Sequence, residues 1–152
     1  MNHKPMIGVI GAADANDELK KCAEGLGRRI AQRGWTLVSG GLSGVMEAAS
    51  KGASDDGGTV IGILPAAKTA DANPYVTIPI ATNMGHARNA IIAHTADALV
   101  ACGGGYGTLS EIALANKLGK KVFGLMSWKV EGVIDKDSVE EIMGELDAIF
   151  AK

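Results

Sequence analysis

Cysteine is scarce: Cys22 and Cys102 are the only two in 152 residues. Nothing in their placing suggests a disulfide framework or a zinc site, so both are read as buried free thiols. Aromatic residues make up only 4%, so the core must be aliphatic. No apolar run approaches the ~18 residues of a membrane span. Met6–Ala13 is short for a signal sequence, and Asp14 and Asp17 follow it at once, so the segment reads as a first strand and the compartment as cytoplasmic. A basic excess is also missing. The net charge is −2, with no basic run, which argues against a nucleic-acid partner. Two nucleotide signatures fail as well: the first strand is followed by GAADAND rather than G-x-G-x-x-G, and no G-x-x-x-x-G-K-[ST] occurs.

What the chain has in quantity is glycine, 21 residues, within an ordinary 47% hydrophobic content. Short apolar runs alternate with helical periods. Strands are expected at 6–11, 35–39, 59–64, 76–80, 98–101 and 121–125. Helices are expected at 17–33 with Asp14 or Asn16 as cap, then at 45–56, 83–95, 108–118 and 138–150. Pro79 suggests an end or irregular strand position. Strands that are continuously apolar, each followed by a helix, imply a parallel sheet covered on both faces. The expected fold is therefore a Rossmann-like, doubly wound α/β sheet of about six or seven strands, one domain over residues 1–152.

Ligands of such sheets bind beyond the carboxyl ends of the strands. The unusual residues fall there, in 11–16, 40–44, 82–88 and 103–108, whereas the amino ends carry ordinary turn glycines such as Gly34 and Gly119. The turn Gly103-Gly104-Gly105-Tyr106-Gly107-Thr108 joins a strand to a helix. Glycines permit positive φ and close approach, and the free N–H groups of a helix start attract anions, so a phosphate or pyrophosphate is the natural guest. A tight turn with no ligand is the simpler alternative. Glu111 has two readings: Thr108-Leu109-Ser110-Glu111 fits a capping box, or the carboxylate stands beside the phosphate loop, able to stabilise positive charge on a sugar or to accept a proton. Arg88 either grips a phosphate or ribose with its fork or pairs with a surface carboxylate. Asn83 caps a helix or contacts a base edge. His86 and His94 have no third ligand beside them, so no metal is expected. Met46, Met84 and Met126 read as core filler.

The segments SGGLSGVMEAASKGASDDGGTVIGILP and MGHARNAIIAHTADALVACGGGYGTLSEIALANKLGKKV resemble the Lonely Guy (LOG) superfamily, proteins long labelled lysine decarboxylases. The resemblance covers about residues 5–127 and includes a G-G-x-x-G-x-M loop, an Arg-bearing helix and G-G-x-G-T-x-x-E. The compact G-G-G-x-G-T-L-S-E form looks closest to a branch of small proteins that includes molybdenum-cofactor carriers. The resemblance implies a small phosphorylated ligand and a homodimer or higher homo-oligomer. For the enzymes of the superfamily it implies hydrolysis of a nucleoside 5′-monophosphate to base and ribose 5-phosphate. On that reading Arg88 and Glu111 are catalytic, Glu111 stabilising an oxocarbenium-like ribosyl centre. Gly104, Gly105, Gly107 and Thr108 hold the phosphate, and Gly40, Gly41 and Gly44 line the neighbouring pocket. The enzymes usually carry Lys where this chain has Asn89, and the 66–74 loop lacks an aromatic residue for stacking a purine. Both departures suit the alternative, a non-catalytic carrier of a pterin phosphate. No cofactor is required in either case, a bound nucleotide or pterin phosphate being the expected guest. None of Lys51, Lys68 or Lys117 sits in a pyridoxal-phosphate setting, so lysine decarboxylation is not expected.

Overall fold

The computed structural model describes residues 3–151. Seven strands form one sheet in the order β4-β3-β2-β1-β5-β6-β7, and every pairing is parallel. They are β1 (Met6–Gly11), β2 (Thr36–Ser39), β3 (Val60–Leu64), β4 (Ile78–Ala81), β5 (Ala98–Cys102), β6 (Lys121–Leu125) and β7 (Val133–Lys136). Strand order reverses at the β1–β5 pair, where Gly11 stands opposite Cys102. That pair is the switch point of the doubly wound fold, and its carboxyl end opens a crevice.

Alternate residues of each strand face opposite layers. From β1, Ile7 and Val9 enter one core with Leu26 and Ile30 of α1 (Asp17–Gln32), Ala49 of α2 (Val45–Asp55) and Ile142 of α5 (Val139–Phe150). Ile10 enters the other core with Ile92 of α3 (Arg88–Thr95) and Ile112 of α4 (Tyr106–Lys117). Helices α1 and α2 meet almost backbone to backbone. A Cβ on Gly27 would lie 2.0 Å from the Ala49 carbonyl oxygen, and one on Gly52 would lie 1.9 Å from that of Glu24. Asn16 is the α1 cap, its Oδ1 accepting from the Leu19 N–H at 2.9 Å.

Several local expectations are corrected. β2 begins at Thr36 and β4 at Ile78, and β7, with the half-exposed sequence VIDK, is an addition to the six strands read from the apolar runs. Pro79 is the second residue of β4, paired with Gly62 and not at an irregular position, and it is tolerated because β4 is an edge strand. The 83–95 helix divides into a 3-10 turn at Gly85–Ala87 and α3, because Asn83 and Gly85 have φ of 52° and 57° and no α-helix passes through them. Of the methionines read as core, Met46 is buried, but Met84 and Met126 are about half exposed. Cys102 is buried, its thiol pushed up to about 12 by desolvation, whereas Cys22 is only partly buried. No helix among the described residues is long and apolar enough to cross a membrane.

Candidate functional site

Four loops converge on a cleft of about 290 Å³ at the switch point, lined by residues that include Gly11, Leu42, Met46, Arg88, Asn89, Gly105, Gly107, Thr108 and Glu111. Larger surface hollows exist, and one of about 820 Å³ at Asn116–Lys121 lies at the amino ends of β6 and β7. Arg88, Asn89, Thr108 and Glu111 are four of the six buried polar or charged side chains among the described residues, and all four line this cleft. Polar groups are buried at such a density only where partners hold them or a ligand completes them.

Helix α4 starts two residues earlier than its sequence pattern suggests. Gly105 is the N-cap and Tyr106 the first helical residue, with no side-chain cap. The Thr108–Glu111 capping box is thereby overturned. Glu111 is the sixth residue of the helix, about one and a half turns below its start, and is buried in the cleft that Arg88 also lines. The N–H groups of Tyr106, Gly107 and Thr108 have no partner among the described residues, as the geometry of a first turn dictates. The turn is shaped by glycine: Gly103 and Gly104 have φ of 59° and 113°, and a Cβ on Gly104 would meet Thr108 Oγ1 at 2.4 Å. Any side chain there would be both strained and obstructed.

Arg88 is 8% exposed, and its Nε is buried without a hydrogen-bond partner. Its Nη1 donates to Asn89 Oδ1. Asn89 Nδ2 donates in turn to Ser110 Oγ at 3.1 Å, so the amide bridges α3 and the first turns of α4. Burial lowers the Arg88 pKa, with Glu111 partly opposing it. Burial likewise pushes Glu111 up to about 7, against the pull of Arg88. The two side chains are thus coupled through space. Near neutrality the carboxyl is divided between its two forms, a state in which it can donate or accept a proton and does not repel a neighbouring anion as a full charge would.

Of the residues singled out from sequence, Arg88, Glu111, Gly105, Gly107 and Thr108 line the cleft. Gly40, Gly41, Gly44 and Gly104 stand behind it. Gly40 lies under the Arg88 guanidinium, Gly41 (φ 73°) packs on Leu64, and Gly44 (φ 67°) sits on the Ala12 carbonyl. Asn83 does not cap α3, whose N-cap is Ala87. No group of three His, Cys, Asp or Glu side chains able to hold a metal occurs among the described residues. Sequence reasoning missed Asn89 as the bridge and Met46 as lining. Asn89 stood out in the sequence only as the residue in place of the enzymes' usual Lys, which says nothing of a bridge.

The chain is similar to solved structures over nearly its whole length. The molybdenum cofactor binding protein of Rippkaea orientalis is 39% identical, with a TM-score of 0.93 over 98% of this chain and 99% of that one. The molybdenum cofactor carrier protein of Chlamydomonas reinhardtii is also 39% identical, with a TM-score of 0.89 over 99% of this chain and all of the other. A cytokinin riboside 5′-monophosphate phosphoribohydrolase of Rhodococcoides fascians is 34% identical over 128 residues, 77% of this chain but only 56% of that enzyme. The region from residue 4 to residue 148, which contains all four loops of the cleft, matches the SLOG cluster4 family throughout, and the chain is a member of that family.

Proposed function

We propose that the chain binds a phosphorylated, nucleotide-like ligand, with the phosphate on the first-turn N–H groups of α4 and Arg88 on its flank. The observation that carries this reading is the buried Arg88 Nε without a partner. An orphaned guanidinium N–H costs free energy, and a phosphate oxygen in the adjoining cleft relieves it with a charge-assisted bond. The three free N–H groups of residues 106–108 supply the second half of an anion site. Gly104, Gly105, Gly107 and Thr108 form the phosphate turn, while Gly40, Gly41 and Gly44 give Arg88 its bed. The same groups suit the phosphate end of a pterin cofactor carried as cargo, and a cytoplasmic protein of more than one subunit fits such a role.

Carriage is favoured over turnover by two features. The structural resemblance to the cofactor-binding proteins runs the full length of both chains. Asn89 supplies a neutral bridge in place of a second cation. Hydrolysis is the second reading, supported by Glu111: its pKa of about 7 suits a proton-transfer group. In that reaction the bond from the anomeric carbon to the base nitrogen breaks with its electron pair going to the base. The ionised Glu111 carboxylate stabilises the ribosyl cation, and water then adds to the anomeric carbon, the proton it gives up ending on the departed base.

One experiment separates the readings. Protein purified gently from its host is examined by mass spectrometry for retained ligand, and the same preparation is incubated with AMP. A retained pterin or nucleotide with no adenine release above the Glu111→Ala background is the carrier outcome. Adenine release abolished by Glu111→Ala is the hydrolase outcome. No retained ligand together with no affinity for AMP or phosphate removes both.

A further inference from the structure

Two of the chain's few aromatic residues meet at the surface: Tyr106, and Trp128, which is partly buried against the second core. Trp35 and Phe150 pack edge to face in the hydrophobic interior, and Phe123 is buried. Tyr106, by contrast, is 82% exposed, and it is the first residue of α4. Its ring lies 5.8 Å from that of Trp128 at a tilt of 35°. An exposed tyrosine leaning on a tryptophan is an unusual surface for a chain so poor in aromatics, and its position is tied to the glycine turn.

The tie is a short strap after β6. Met126 is a non-glycine residue in the left-handed region, φ 52°, a conformation that costs free energy and marks a place where the chain is being re-aimed. From there Ser127 Oγ donates to the Gly103 carbonyl at 2.6 Å, and Trp128 Nε1 donates to the Gly105 carbonyl at 3.0 Å. The strap therefore engages two carbonyls of the turn, while the N–H groups of residues 106–108 remain free. One indole both fixes the phosphate turn and backs the tyrosine ring.

We propose that Tyr106 and Trp128 form the stacking platform for the planar heterocycle of the phosphorylated ligand, an inference that rests on the phosphate reading of the α4 start. An aromatic surface of this kind accepts the π-face of any base or pterin without reading its edges. It supplies the stacking group that the 66–74 loop lacks. Glu111 follows Tyr106 by five positions, so the two project about 140° apart around the helix axis. A ring resting on Tyr106 draws the ligand away from the buried carboxyl, the arrangement of a binder and not of a hydrolase.

Calorimetric titration of GMP and of ribose 5-phosphate into wild type and Tyr106→Ala tests this. GMP should bind wild type more tightly than ribose 5-phosphate, and Tyr106→Ala should weaken GMP by about tenfold or more while moving ribose 5-phosphate by less than about twofold. In a Trp35→Phe background, where Trp128 is the sole tryptophan, GMP and not ribose 5-phosphate should alter the fluorescence. If ribose 5-phosphate binds but GMP binds no tighter, or if Tyr106→Ala leaves GMP untouched, the platform is overturned and the phosphate site stands. If Tyr106→Ala instead shifts the assembly mass in light scattering with both affinities unchanged, the pair covers a subunit contact and the platform is likewise overturned. If neither probe binds wild type, the phosphate reading itself fails and the platform with it.

Discussion

Gly40 lies so close beneath Arg88 that a Cβ at position 40 would stand 2.6 Å from Nη2, and 2.8 Å from the sulfur of Met46. The glycine directly follows β2, and the arginine begins α3, 48 residues later in the chain. Whether a guanidinium can occupy the cleft is thus decided by the absence of one methyl group on another element. Both neighbouring atoms are far ends of flexible side chains and can swing aside. Gly40→Ala should therefore cost little stability, within about 1 kcal/mol in urea unfolding, yet weaken phosphate-ligand binding by tenfold or more, about 1.4 kcal/mol. Equal affinity in calorimetry would show that Arg88 needs no such bed.

Glu111 should make stability depend on pH with a definite sign. Its carboxyl keeps its proton up to about 7 when folded, against 4.5 as the reference value. Between those pH values the folded state binds more protons than the unfolded chain, so stability falls as pH rises through the window and levels off above it. The difference is worth about 3 kcal/mol at most. Glu111→Gln should match wild type near pH 4 and exceed it at pH 8. Parallel denaturation curves at both pH values check this, and a constant difference between the two proteins would contradict it.

Ligand affinity should respond to the same group. A bound phosphate raises the Glu111 pKa further by repulsion, so binding takes up protons near neutrality and the ionised carboxylate opposes the ligand at higher pH. Relative to Glu111→Gln, wild type should lose affinity for AMP on going from pH 6 to pH 8.5. The variant supplies the correction for the phosphate's own ionisation.

Helix α1 offers a stability test away from the site. Gly27→Ala would drive a methyl group into the Ala49 carbonyl, 2.0 Å from its Cβ position, whereas Gly25 on the same helix has open space. Gly27→Ala should cost about 3 kcal/mol or more, since α1 and α2 must separate. Gly25→Ala should stabilise by up to about 1 kcal/mol through helix propensity. Chemical denaturation of the pair reads both.

Asn89 should act mainly on order at the site. Replacing it with Ala removes the acceptor for Arg88 Nη1, a buried group, and the donor to Ser110 Oγ, an exposed one. A loss of about 1–3 kcal/mol in stability is expected, together with weaker ligand binding. Unchanged stability would mean that water replaces the amide without loss.

Much of the architecture was legible in local pattern. Apolar runs such as MIGVIG and KVFGL, each followed by a helical period, identify strands buried on both faces without reference to anything distant. What escaped was governed by context. β7 is too short and too charged to stand out as a run, and it exists because β6 offers it an edge. Thr108–Glu111 looked like a cap because the spacing was right, but the glycine turn lets α4 begin earlier, at Tyr106, and carries Glu111 down into the cleft. Met84 and Met126 looked like core residues, and only the path of the loops exposes them.

The order of residues by itself determined the parallel α/β sheet and the placing of glycine turns at strand ends, because periodicity and conformational freedom act over a few neighbours. The tertiary structure decided which of those turns meet. Gly40, Arg88 and Glu111 are brought together by the switch point between β1 and β5, and burial there, not residue type, moves the carboxyl toward neutrality and leaves a guanidinium N–H without a partner. Desolvation belongs to a place in the fold, and no stretch of sequence carries it.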